Sequence, residues 1–169
     1  GEKFVDIKCR KAGLKPAAAV VVATIRALKY HGGVEVKNLT QENLEALEAG
    51  IANLERHVEN VRLHFGLPCV VAINRFSSDT AAELALVESR MAQKGVPVAV
   101  ANHWAEGGKG ATDLAKIVIE LCEQAPSVKL VYEDADPLWE KIEKIATRIY
   151  RASYVNAEAK VREQIDRLQ

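Results

Sequence analysis

Three short apolar runs, each followed by a polar turn and then a segment of helical periodicity, constrain this chain more than any other feature. They are Ala17 to Thr24, Cys69 to Ile73 and Val96 to Ala101. Cys69-Val70-Val71-Ala72-Ile73 is apolar at every position, the pattern of a strand covered on both faces. After the first run, Arg26 to His31 precedes Gly32-Gly33. Leu39 to Phe65 then places Leu44, Leu47, Ile51, Leu54, Val58, Val61 and Phe65 at steps of three and four. That spacing predicts a long amphipathic helix with Thr40 as its N-cap, ended by Gly66-Leu67-Pro68. Ser78 or Asp79 is expected to cap a second helix, over Leu84, Val87 and Met91, which Gly95 stops. A third helix runs from Thr112 to Glu123 with Leu114, Ile117, Val118 and Leu121 inward. Lys129 to Tyr132 reads as a short strand, Pro137 opens a helix over Leu138 to Tyr150, and a charged helix covers about Ala157 to Leu168. Strand alternating with helix implies an α/β fold: a parallel sheet with crossover helices. Residues 1–169 form a single domain in this reading, without repeat or linker.

Composition narrows the function. Lys+Arg 23 balance Asp+Glu 23, so no electrostatic argument favours nucleic acid or a membrane surface. The three cysteines Cys9, Cys69 and Cys122 are widely spaced and odd in number, favouring reduced thiols in a cytoplasmic protein over a disulfide framework or zinc site. No apolar run reaches membrane-spanning length, and Gly1-Glu2-Lys3-Phe4 is not a signal peptide. That opening lacks an initiating methionine and falls in mid-element, so the chain is expected to be a piece of a longer protein.

Aromatic residues make up only 5% of the chain, so their positions carry weight. Asn74-Arg75-Phe76 closes the second apolar run and Asn102-His103-Trp104-Ala105-Glu106-Gly107-Gly108-Lys109-Gly110 the third. Loops at the C-terminal ends of adjacent parallel strands face one crevice. Phe76 and Trp104 can there sandwich a planar ring, or cap the hydrophobic core. Arg75, Asn74, Gly107, Gly108 and Lys109 are candidate anion or nucleotide contacts, since a glycine-rich turn before a helix N-terminus offers free N–H groups. The spacing is not that of a Walker A loop, and a plain strand-to-helix turn is the better explanation of it. Asn74-Arg75 begins like an Asn-Lys-x-Asp base-reading loop, but Ser77 occupies the Asp position. Asp6-Ile7-Lys8-Cys9-Arg10 reads as a solvated edge. His31, His57 and His64 have no companions at metal-ligand spacing, and no metal site is expected.

Phe4-Val5-Asp6-Ile7-Lys8-Cys9-Arg10, Val22-Ala23-Thr24-Ile25-Arg26-Ala27-Leu28-Lys29 with His31-Gly32-Gly33, and Gln41-Glu42-Asn43-Leu44 resemble the formate–tetrahydrofolate ligases. So do Val71-Ala72-Ile73-Asn74-Arg75-Phe76, Asp79-Thr80 and the run from His103 to Gly110. The resemblance is clear over residues 1–152; residues 153–169 form the C-terminal helix. It implies a segment of a larger, P-loop NTPase-like nucleotide-binding domain. The full enzyme would join formate to tetrahydrofolate with ATP and Mg, through formyl phosphate, giving 10-formyltetrahydrofolate, ADP and phosphate. By the same resemblance Phe76 and Trp104 hold the pterin ring. Ser77 departs from the proline common after the stacking phenylalanine.

The family's phosphate-binding loop, formyl-phosphate-binding arginine and cation site lie upstream of the matched region, and a large downstream region is missing too. The chain alone is therefore expected to be inactive. Its partners would be the three small substrates, the absent segments of the same enzyme, and further copies in a homo-oligomer. The alternative is a stand-alone, non-catalytic folate or nucleotide binding module; a third reading is an assembly element.

Overall fold

The computed structural model describes residues 1–169 and centres them on a three-stranded parallel sheet. The chain opens in a helical segment, Lys3–Cys9, continued by Arg10–Ala12 (α1). Strand β1 (Ala19–Ala23) leads into α2 (Ile25–His31) and then α3 (Leu44–Glu59), which Asn60–His64 prolongs. Strand β2 (Cys69–Asn74) is followed by α4 (Ala81–Gln93), and β3 (Val98–Ala101) by the short α5 (His103–Glu106). A tight turn over Gly107–Ala111 enters α6 (Thr112–Cys122). The chain ends with α7 (Leu138–Lys144, continued by Ile145–Ile149) and α8 (Ala159–Leu168).

The strands lie in the order β1-β2-β3, with Ala19 beside Cys69 and Val71 beside Val98. Both crossovers pack on one face. There Ile25 and Leu28 of α2, Leu47, Ile51, Leu54 and Val58 of α3, and Val87 and Met91 of α4 enclose Val71 and Ile73. The other face carries α6, whose Leu121 packs on Val70 and Ala99. Alternate β2 side chains thus enter opposite layers, which is why that strand is apolar throughout. Full burial of one Leu or Ile, as at Leu47 and Ile51, contributes roughly 1.5–3 kcal/mol. A smaller cluster of Val5, Phe65, Leu67, Val131 and Ile149 closes the opposite end, away from the strand C-termini.

Several local expectations change. Thr40 does not cap α3; Asn43 does, its Oδ1 accepting Ala46 N–H at 2.9 Å, because Val36–Asn38 and the following turn occupy the chain before it. Neither Ser78 nor Asp79 caps α4: Thr80 does so in a capping box with Glu83. Lys129 to Tyr132 is not a strand. Its backbone is held at single points, with Lys129 N–H donating to the Phe65 carbonyl (3.0 Å) and Val131 N–H to Asp6 Oδ1 (2.7 Å). Nor is Asp6-Ile7-Lys8-Cys9-Arg10 a solvated edge, since Asp6 and Cys9 are buried. The Arg10 guanidinium is committed to Asp134 and the Tyr132 carbonyl. His57 is exposed, whereas His64 is half-buried and burial lowers its pKa. Cys69 behaves as a small hydrophobe in the core, its thiol pushed up by burial. No helix is long and apolar enough to cross a membrane.

Candidate functional site

All three strands point their C-terminal ends the same way, and the residues after them converge. Arg75 N–H donates to the Ala101 carbonyl at 3.3 Å, carrying the β2–β3 contact one residue past the strand. Beyond it Arg75, Phe76, Ser77, Asn102, Trp104 and Ala105 line one open crevice of about 700 Å³. Phe76 is half-buried, while Trp104 is 81% exposed. A tryptophan this uncovered on α5 caps no core, and its apolar ring faces solvent from the crevice wall.

The Phe76 loop is braced twice. Its N–H donates to Asp79 Oδ2 at 2.8 Å, and Asp79 N–H donates back to the Phe76 carbonyl at 3.0 Å. This reciprocal pair occupies the buried Asp79 and leaves the helix cap to Thr80. From the end of β1 comes a residue that sequence reasoning missed. The Arg26 guanidinium carbon lies 4.3 Å from the centre of the Phe76 ring, and its Nη2 donates to Ser78 Oγ at 3.2 Å. Arg26 follows Thr24, whose Oγ1 caps α2 by accepting Ala27 N–H at 3.1 Å. The available signal was positional, because Arg26 lies in the first turn of the helix that directly follows a strand C-terminus.

The glycine-rich turn serves the backbone. Gly107 adopts φ 58°, ψ −143°, a conformation essentially confined to glycine. A Cβ on Gly110 would lie 2.6 Å from the Asn102 carbonyl carbon and oxygen. The Gly110 carbonyl accepts Asn102 N–H at 3.1 Å, and Asn102 Nδ2 donates to Glu106 Oε1 at 2.8 Å. Of the residues singled out from the sequence, Arg75, Phe76 and Trp104 share the crevice, and Asn74 is the last residue of β2 behind it. Gly107, Gly108 and Lys109 do not line it. Lys109 is exposed, and its carbonyl accepts the Thr112 hydroxyl. No cluster of three or more His, Cys, Asp or Glu side chains could hold a metal ion.

Comparison with known proteins bears on the whole chain. The family model described as formate–tetrahydrofolate ligase matches residues 1–169. The formate–tetrahydrofolate ligase of Methylibium petroleiphilum is 62% identical over 172 residues, covering 99% of this chain and 31% of that protein. Those of Methylobacillus flagellatus and Methylococcus capsulatus are each 58% identical, over 99% and 98% of this chain and 30% of their own lengths. The chain therefore spans about 30% of the length of these relatives. Matched end to end by the family model and sharing more than half its residues with these enzymes, it belongs to the formate–tetrahydrofolate ligase family.

Proposed function

We propose that this chain is the folate-side segment of a formate–tetrahydrofolate ligase. The enzyme uses ATP, with Mg, to join formate to tetrahydrofolate through formyl phosphate, giving 10-formyltetrahydrofolate. The observation that carries this reading is that Phe76 and Trp104, from adjacent strand ends, line the same crevice in a chain matched throughout by the family. The pterin ring lies between the two aromatics, gaining roughly 0.5–1.5 kcal/mol per stacked pair beyond its buried area. Arg75, beside them and exposed, faces the anionic part of a ligand. An acyl phosphate hydrolyses readily, so a stacked ring that excludes water protects it and orients the folate amine for attack.

The sheet belongs to a larger P-loop NTPase-like nucleotide-binding domain, and the residues that clamp the phosphates lie outside this segment. Gly107 and Gly110 are taken up by the turn, which supports a chain that by itself turns over no ATP. The full enzyme acts in the cytoplasm as a homo-oligomer.

Tryptophan fluorescence during titration with tetrahydrofolate tests the reading, with Trp104→Ala as control. Trp139, the other tryptophan, is half-buried, donates to Glu143 Oε1 and lies under Arg162, far from the exposure of Trp104. Saturable quenching in the parent chain that vanishes in Trp104→Ala is expected. Quenching that persists in the variant would overturn the assignment.

A further inference from the structure

The stacking pair has a back side. Arg26 is absent from the crevice lining, yet its guanidinium lies 4.3 Å from the centre of the Phe76 ring. The same guanidinium reaches Ser78 Oγ, two residues along the same loop. It spans 52 residues of sequence to bridge the end of β1 to the loop after β2. Asp79 holds the Phe76 backbone but does not fix its ring. A half-buried phenylalanine on a loop has free χ rotations unless something packs on its face. Arginine is suited to that task because its planar cation stacks on an aromatic face while its remaining N–H groups stay available for hydrogen bonds.

We propose that Arg26 is a positioning residue for folate binding: by stacking on one face of Phe76 it fixes the side chain in one χ1 rotamer and leaves the opposite face to the pterin. The inference rests on the folate-stacking reading above. It deepens that reading by adding the first turn of α2 to the site and by making the order of layers Arg26, Phe76, pterin, Trp104. The bound ring is thereby reached by a cation through Phe76 rather than directly. Arg26 itself touches no reacting atom.

The test uses the intact chain and three variants, Arg26→Gln, Arg26→Lys and Phe76→Leu, each checked by thermal unfolding for retention of the fold. Three-bond NMR couplings report the Phe76 χ1 populations. One dominant rotamer is expected in the parent, averaging in Arg26→Gln, and partial recovery in Arg26→Lys. A single rotamer retained in Arg26→Gln would overturn the proposal. Tetrahydrofolate titration then reads the consequence: Arg26→Gln weakens binding roughly three- to tenfold, and adds nothing in the Phe76→Leu background. Equal losses in both backgrounds would show that Arg26 acts independently of the ring, which also overturns it. If Phe76→Leu weakens binding and Arg26→Gln does not, the folate reading stands and the Arg26 inference fails. If the parent chain binds and neither variant is weakened, the stacking reading itself fails, while the couplings still decide the Arg26 contact.

Discussion

Lys29 and Glu83 form an ion pair at 2.7 Å in which both side chains are buried, with residue exposures of 1% and 0%. Lys29 Nζ also donates to the Gln41 carbonyl at 2.7 Å. Glu83 accepts backbone N–H groups of Asn43 and Thr80 at 3.2 and 3.1 Å. The pair therefore ties α2, the loop before α3 and the start of α4 together. Removing one partner strands a buried charge. Lys29→Ala is expected to lose about 3–5 kcal/mol in urea unfolding. A Lys29→Leu/Glu83→Leu double variant should recover only part of that loss: neither charge remains unpaired, but the Gln41 carbonyl and the Asn43 and Thr80 N–H groups lose their partners.

Two buried carboxylates give opposite pH dependences. Burial acts to raise the Glu83 pKa, but the hydrogen bond from Lys29 and those from the Thr80 and Asn43 backbone outweigh it, so the net shift is downward from the ordinary 4.5. Its stabilising contribution is present above that ordinary value and is lost as pH falls through the lowered one. Asp6 goes the other way: burial raises it from the ordinary 3.8, against the Val131 N–H bond and the Arg10 charge. The folded state then holds the Asp6 proton more tightly, and stability falls as pH rises from 3.8 through the raised value. Melting temperatures across the acidic range should show Glu83→Gln flattening the acid-side loss and Asp6→Asn flattening the opposing slope.

The glycines of the α5–α6 turn should separate by position. Gly110→Ala forces a Cβ into the Asn102 backbone and is expected to lower stability and displace the Trp104 segment, seen as altered tryptophan fluorescence. Gly108→Ala meets nothing within 4 Å and should leave both unchanged. A severe loss at Gly108 in folate titration, with stability unchanged, would instead point to a backbone contact with ligand at that residue.

β1 is an edge strand with Val20 and Val22 exposed, Val22 by 67%. Ala19 N–H faces β2, donating to the Pro68 carbonyl, so by the alternation of a parallel ladder the Val20 and Val22 backbone groups face outward. A free edge with apolar side chains is a template for pairing. Sedimentation of the isolated chain is expected to show concentration-dependent association that Val22→Lys reduces.

What the sequence showed, and what it hid, divide along physical lines. The periodicities of Leu44 to Phe65 and the unbroken Cys69 to Ile73 run announced the α3 helix, β2 and the parallel sheet, since these follow from which faces are buried. The crevice pair Phe76 and Trp104 was legible because strand-end loops lie together in such sheets. The packing of Arg26 on Phe76 was not, for that contact depends on a guanidinium folding back across a neighbouring loop, which no spacing encodes. Thr80-x-x-Glu83 did carry a capping-box signature, but Ser78 and Asp79 competed for the same cap. Only the Asp79–Phe76 exchange of hydrogen bonds resolves that competition. Lys129 to Tyr132 had strand-like residues without a partner strand, and propensity alone cannot supply one.

The small cluster of Val5, Phe65, Leu67, Val131 and Ile149 gathers residues from both extremities of the chain. Its fastenings are long in sequence: Val131 to Asp6 spans 125 residues, and Arg56 Nε to the Ile149 carbonyl, at 2.9 Å, spans 93. Closing loops of that length costs chain entropy that is offset only after the sheet has drawn their ends together. This end of the molecule is thus set to assemble last and to open first. Native-state hydrogen exchange should find it as a separate unit of lower protection. Thermal fluctuations would part the Asp6–Val131 and Arg56–Ile149 fastenings while the crevice lined by Phe76 and Trp104, built on the earlier-forming sheet, keeps its shape.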